Sequence, residues 1–267
     1  MPDQYAVIGN PVAHSISPRI HAEFARQTMQ DLSYELLLAP IDAFLASAGA
    51  FRARGGRGLN VTLPFKGEAF RFATTCSERA RAAQAVNTLR FDGDAIFGDN
   101  TDGAGLVNDL IRNLDRTIAG RRVLLLGAGG AARGVIGPLL AQQPARLTLA
   151  NRTLEKAQLL AQSFRGAIEA DGYAGLAGRQ FDLVINATSA SLSGALPPLP
   201  HGIFAHGALA YDMMYGKDHT PFLAFARGEG AASLADGLGM LVEQAAESFF
   251  IWRGLRPRTA PVLNLLR

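Results

Sequence analysis

The sequence predicts a two-domain α/β protein, and three observations carry that expectation. Short apolar runs of strand length alternate with amphipathic runs of helical period along most of the chain. The run Arg122–Leu126 is almost continuously apolar, as a central parallel strand covered on both faces must be, and a glycine-rich turn follows it directly. A long helical segment, Leu238–Trp252, closes the pattern and is expected to return to the first domain. The 267 residues suffice for two modest domains. We place an N-terminal mixed-sheet α/β domain at 1–101 plus 238–267, and a Rossmann-like doubly wound domain at 102–237.

In order, Ala6-Val7-Ile8 is a buried strand that ends at Gly9-Asn10-Pro11. Ser17-Pro18 reads as an N-cap and a first-turn proline, and Ile20, Phe24 and Met29 give the helix its apolar face. A strand at Tyr34–Leu38, a helix at Phe44–Phe51 stopped by Gly55-Gly56, and a strand at Leu59–Leu63 follow. Helical material is expected through Ala85. Val86–Phe91 and Ala95–Phe97 flank Asp92-Gly93-Asp94 as a hairpin, which predicts an antiparallel pair edging the sheet. Leu106, Val107, Leu110, Ile111 and Leu114 recur at helical spacing after Asp102. Beyond Arg122–Leu126, helix to about Leu140, strand Arg146–Ala150, helix Leu154–Phe164, and strands Asp182–Ile185 and Ala208–Met213 complete a doubly wound unit. Gly254 and Pro257 stop the last helix.

Composition removes several function classes. Hydrophobic content of 48% and charged content of 18% describe an ordinary globular chain. The net charge is only +3, and no basic run or Arg/Lys stripe exists, so nucleic acid is not expected as a partner. A single cysteine, Cys76, forbids an internal disulfide or a cysteine metal cluster, and no metal is expected. The apolar stretch Val123–Ala132 is too short and glycine-broken to span a membrane, and Tyr5–Ile8 has no basic leader before it. The cytoplasm is the expected compartment, with a small-molecule substrate and a monomer or homodimer.

The chemistry concentrates in a few segments. Gly127-Ala128-Gly129-Gly130-Ala131-Ala132 follows a strand and opens a helix, so its backbone can approach a pyrophosphate and the helix N-terminus can present free N–H groups to it. NAD-binding folds place an acid about 20 residues on, after the next strand. Here stands Asn151-Arg152-Thr153. Arg152 can pair with a 2′-phosphate that an acid would repel, and Asn151 and Thr153 add hydrogen bonds, so NADP(H) is the expected cofactor. Asn60-Val61-Thr62-Leu63-Pro64-Phe65-Lys66 puts a lysine after a strand end and a proline-constrained turn. Its ammonium can give a proton to a carbonyl oxygen, and Asp102 can hold that ammonium in place. Spacing alone equally allows a solvated Lys66 and an N-cap Asp102. Ser15 and Ser17, at a helix start, suit a carboxylate, although Ser17 can also be a simple cap. His14 and His21 have no second ligand at metal spacing and read as structural or peripheral.

These segments, in this order, resemble the shikimate dehydrogenase family along nearly the whole chain. The matching stretches also include Asn87-Thr88, Asn100-Thr101-Asp102-Gly103, Asn186-Ala187-Thr188-Ser189, Tyr211-Asp212-Met213-Met214-Tyr215, and Asp236-Gly237 through Met240 to Gln244. The resemblance implies reversible reduction of 3-dehydroshikimate to shikimate with NADPH, in aromatic amino-acid biosynthesis. It implies Lys66 as acid/base with Asp102 beside it, Ser15 and Ser17 on the carboxylate, and Asn60, Thr62, Asn87, Tyr215 and Gln244 around the ring. Thr188, Met213 and Gly237 would line the nicotinamide, and Glu78 matches a position near the cofactor. Two departures stand out: Ala22 where the family often has Asn, and Ser191 where it often has glycine, the latter bearing on loop shape beside the nicotinamide. The alternatives are a quinate-type paralogue that tolerates NAD and a non-catalytic NADP-binding regulator.

Overall fold

The computed structural model describes residues 2–164, 168–188, 190, 194–216 and 219–267. Two units emerge, Met1–Gly105 with Leu241–Arg267, and Leu106–Met240. Both divisions fall inside helices and a few residues beyond the expected 101 and 237.

In the first unit, strands β1 (Asp3–Gly9), β2 (Leu32–Leu38), β3 (Gly56–Val61), β4 (Thr75–Cys76), β5 (Thr88–Asp92) and β6 (Ala95–Asp99) form one sheet in the order β2-β1-β3-β5-β6-β4. The hairpin is present, with Asp92 opposite Ala95, and β5 is antiparallel to both of its neighbours. It does not edge the sheet. The two-residue β4 pairs in parallel with β6, and the Thr74 hydroxyl and N–H bond both backbone groups of Ile96 there. These contacts satisfy backbone groups that an edge would leave open. β4 also splits the single helix expected through Ala85 into α3 (Lys66–Phe72) and α4 (Glu78–Ala83), because the Ser77 hydroxyl caps the Ala80 N–H at 3.1 Å and starts a new helix. Around the sheet lie α1 (Ser17–Thr28) and α2 (Phe44–Ala53). Ala6, Ile8, Leu59, Val61, Phe44, Phe65 and Leu89 fill one core.

The second unit has strands β7 (Arg122–Leu126), β8 (Arg146–Ala150), β9 (Glu169–Asp171), β10 (Phe181–Asn186), β11 (Phe204–Asp212) and β12 (Ser233–Ala235). All are parallel, in the order β12-β11-β10-β7-β8-β9. That is the doubly wound order, with its switch point between β7 and β10. The alternation of β7 explains its apolar run: Val123 and Leu125 enter one core, Leu124 and Leu126 the other. Helices α5 (Asp102–Asn108), α6 (Gly130–Leu140), α7 (Leu154–Gln162), α8 (Pro221–Gly228), α9 (Leu238–Arg253) and α10 (Ala260–Leu266) complete the described elements, with α10 and most of α9 belonging to the first unit. β9, β12, α8 and α10 were not foreseen. α5 continues as a π-helical turn, Asp109–Asn113. Within that turn Ile111, expected inside, is exposed, while Leu110 is buried and Leu114 after the turn packs against the core. Gly254, at φ +69, ends α9 as expected.

His21 is fully buried in the first unit, its ring stacked on Tyr34 at 4.2 Å, and neither nitrogen meets a hydrogen-bond partner. Burial pushes its pKa down to about 3, with Asn60 beside the ring opposing. The unfolded chain would protonate this histidine near 6.5, so the stability it permits is complete above that pH and is lost as pH falls toward 3. Between pH 7 and 5 the loss from this one group should be about 2 kcal/mol. Urea unfolding at the two pH values should show that loss in the wild type and lack it in His21→Phe. An equal loss in both proteins would contradict this account.

Candidate active site

The turn after β3 delivers Lys66. The Thr62 N–H still bonds the Ile8 carbonyl at 3.0 Å, and the Phe65 N–H closes back on the Thr62 carbonyl at 3.0 Å. Phe65 is buried and stacks on Phe44, which anchors the turn. Lys66 therefore begins α3, and its carbonyl takes the Val86 N–H at 2.9 Å, one residue from Asn87. Its Nζ lies 2.5 Å from Asp102 Oδ2, with the lysine side chain 27% exposed and the aspartate side chain 11%. Lys66 is thus no free surface charge. Asp102 is no N-cap either: the Gly105 N–H bonds the Thr101 carbonyl, so Asp102 sits inside the first turn with its carboxylate free for other partners.

Asn87 binds the other carboxylate oxygen. Its Nδ2 donates to Asp102 Oδ1 at 2.8 Å, and its Oδ1 accepts the Thr101 N–H at 2.8 Å. A backbone N–H only donates, so this contact fixes which end of the amide faces Asp102. Gln244, on α9, brings Oε1 to 3.3 Å from Asn87 Nδ2 and 3.2 Å from Thr101 Oγ1. Asn60 is buried and bonds the Asn87 carbonyl and the hydroxyls of Thr88, Ser248 and Tyr34. Asp99 braces the turn: it bonds the Asn100 N–H and pairs with Arg79 at 2.7 Å through two bonds. Burial opposes the Arg79 charge, but Asp99 and Glu247 more than offset it. Lys66, Asp102, Asn87, Asn60 and Gln244 therefore form one network within the first unit.

Ser15 and Ser17 pair with each other, their hydroxyls 3.1 Å apart. Ser17 is the first residue of α1 and not its cap, since Ile16 takes the cap position. The Ser15 hydroxyl accepts the Ser17 N–H instead, and the buried Ser17 hydroxyl lies beside that of Tyr34. Thr62 is half-buried immediately after β3, two residues from Asn60. Tyr215 belongs to the second unit, unlike the rest of the shell, and burial raises its hydroxyl pKa. Glu78 is exposed in the first turn of α4, in the first unit, apart in unit from the other cofactor candidates.

In the second unit the glycine turn leaves β7 at the switch point. Gly127 has φ +101, and a Cβ there would come 3.1 Å from Thr188 Cγ2 and 3.2 Å from the Ala187 carbonyl, just past β10. Gly129, Gly130 and Ala131 are exposed at the start of α6, and Ala128 is half-buried. Among the described residues no side chain caps the helix, and a Cβ at Gly129 or Gly130 would meet nothing within 4 Å, so these residues fit a pyrophosphate. After β8, Arg152 and Thr153 are exposed and Asn151 bonds the Thr153 carbonyl at 2.9 Å. The adjacent acid, Asp171, is turned to the Gly172 N–H and Arg179. Thr188 bonds Asn186 Oδ1, the Met213 N–H bonds the Asn186 carbonyl, and Gly237 packs so closely that a Cβ would lie 2.2 Å from the Met213 carbonyl oxygen. Ser191 lies outside the described residues.

Family models match in three stretches: the shikimate dehydrogenase substrate binding domain at 7–89, shikimate/quinate 5-dehydrogenase at 109–193, and the shikimate 5'-dehydrogenase C-terminal domain at 237–267. The shikimate dehydrogenase (NADP(+)) of Chromobacterium violaceum is 63% identical over 269 residues, covering 100% of this chain and 98% of that protein. The chain belongs to the shikimate dehydrogenase family. Among solved relatives, an enzyme from Pseudomonas putida has 49% identity and a TM-score of 0.94, covering 99% of this chain and 98% of that one. The Thermus thermophilus shikimate 5-dehydrogenase, solved with NADP(H) and shikimate, has 32% identity and a TM-score of 0.87, covering 98% and 97%. Family membership carries the oxidoreductase class and the two-domain α/β fold. Among the described residues no group of three or more His, Cys, Asp or Glu could hold a metal, and no helix is long and apolar enough to cross a membrane.

Sequence reasoning missed Tyr34 and Ser248 as members of the buried network, and quoted Thr88 and Thr101 within its key segments without giving either a role of its own. Ser248 had one signal, a small polar residue one helical turn beyond Gln244. Tyr34 had none.

Proposed function

We propose that this chain interconverts 3-dehydroshikimate and shikimate with NADP(H), using Lys66 as the proton donor and acceptor. The observation that supports this best is the Lys66–Asp102 pair at 2.5 Å, held from behind by Asn87. Bound NADPH supplies the two reducing electrons. Lys66 gives its proton to the substrate carbonyl oxygen, which becomes a hydroxyl, and takes it back in the oxidation. Asp102 holds the ammonium and accepts a bond from a neighbouring ring hydroxyl. Ser15 and Ser17 take the carboxylate; Asn60, Thr62, Asn87, Tyr215 and Gln244 take the remaining polar edge of the ring.

Residues 1–101 with 238–267 hold the substrate, and 102–237 hold the dinucleotide. Gly127, Ala128, Gly129, Gly130 and Ala131 cradle the pyrophosphate, Asn151, Arg152 and Thr153 the adenosine phosphate, and Thr188, Met213 and Gly237 the nicotinamide, with Glu78 at the periphery. The protein works in the cytoplasm as a monomer or homodimer. The matching family model names quinate alongside shikimate, and quinate differs from shikimate by one added hydroxyl and a saturated ring bond. Shikimate and quinate, each with NADP+ and NAD+, should therefore be compared in parallel with purified protein. Turnover restricted to shikimate with NADP+ is the expected result; turnover led by quinate or NAD+ would assign the paralogue reading.

A further inference from the structure

We infer that Tyr34, Ser248 and Thr88 are positioning residues that aim Asp102 through a chain of buried hydrogen bonds. This rests on the reading of Lys66 and Asp102 as the reacting pair. The Tyr34 hydroxyl donates to Asn60 Oδ1 at 2.7 Å, and Asn60 Nδ2 donates to Ser248 Oγ at 2.9 Å. Ser248 and Thr88 hydroxyls lie 2.7 Å apart, and the Thr88 hydroxyl lies 2.9 Å from Asn87 Oδ1. Thr88 and Ser248 have one hydroxyl proton each for three acceptors, Asn87 Oδ1, the partner hydroxyl and the Gln244 carbonyl, so the contacts fix the links of the chain and not the sense of each. Asn87 Nδ2 then donates to Asp102 Oδ1.

The links are contiguous, so each hydrogen bond polarises its neighbour. Asn60, Asn87, Thr88 and Ser248 are all at least nine-tenths buried, so water does not compete for these bonds. Asn87 Oδ1 faces the Thr101 N–H and the hydroxyls of Thr88 and Thr101, and the N–H, which can only donate, opposes a flip of the amide. A flipped amide would set its carbonyl oxygen against Asp102 and turn the carboxylate away from Lys66. Ser248 additionally lies 3.0 Å from the Gln244 carbonyl, which ties the same chain to the helix that carries Gln244.

Removal of a link costs orientation of the reacting pair, which the transition state feels more than substrate binding does. Ser248→Ala and Thr88→Val should each lower kcat about fivefold, the scale of one neutral hydrogen bond, with KM changed less than about twofold. Thr88→Ser, which restores the hydroxyl, should recover most of the loss. Ile96→Ala, a core truncation in the same sheet outside the chain, controls for general loosening. The readout independent of turnover is the Asn87 side-chain amide in NMR spectra of the ligand-free protein. Its two proton signals should be sharp and protected from exchange in the wild type, and should shift and exchange faster in Ser248→Ala and Thr88→Val but not in Ile96→Ala. Unchanged Asn87 signals, or kcat losses no larger than in Ile96→Ala, would overturn the inference. Undiminished turnover in Lys66→Ala would instead sink the reaction reading, and the amide signals would still decide whether the chain orients Asn87.

Discussion

Lys66→Ala should lose about 10²- to 10⁴-fold in kcat while still binding shikimate within a few-fold of the wild type. In the proposed mechanism the substitution removes the group that moves a proton onto the carbonyl oxygen. It leaves Asn87, Asn60 and Gln244 in their network, because none of them bonds the lysine side chain. Steady-state kinetics in both directions, with calorimetric titration of shikimate, separate the two effects. A loss confined to KM would make Lys66 a substrate clamp, and comparable turnover would remove it from the mechanism. Asp102→Asn should fall on the same side, since the amide keeps the shape but no longer pairs with the ammonium.

Arg152→Asp should lower kcat/KM for NADP+ about a hundredfold while changing kcat/KM for NAD+ by no more than a few-fold. A charge-assisted bond to phosphate contributes about 1.5–3 kcal/mol, and the new carboxylate adds repulsion of the 2′-phosphate. The wild-type arginine is exposed at the end of β8, with its backbone bonded to the Tyr173 hydroxyl, so the substitution should not disturb the fold. Measuring both dinucleotides on one preparation checks the claim. Equal losses for the two cofactors would assign Arg152 to the adenine or to structure.

What the sequence made legible, and what it did not, follows from the range of the interactions. β7 was readable because burial on both faces demands an unbroken apolar run, and Val123–Leu126 supplies one. The glycine turn was readable because Gly127 combines a positive φ with a close approach by Thr188, which only glycine accommodates. Two- and three-residue strands such as β4 and β12 have no period to detect, and their existence depends on neighbours far along the chain. Ser17 looked like a cap because capping statistics see only a local hydroxyl; the Ser15 hydroxyl, two residues earlier, took the local N–H instead. The buried chain to Asp102 was illegible for a stronger reason. Asn60 and Ser248 are 188 positions apart, and only the fold makes them partners.

The central claim is that this protein carries out the reduction and does not merely bind its ligands. Purified protein given equimolar 3-dehydroshikimate and NADPH should convert them one-to-one into shikimate and NADP+, as resolved by chromatography of the quenched mixture. Recovery of both compounds unchanged, with calorimetry showing that each binds, would contradict the claim and point to a regulator that has kept the fold.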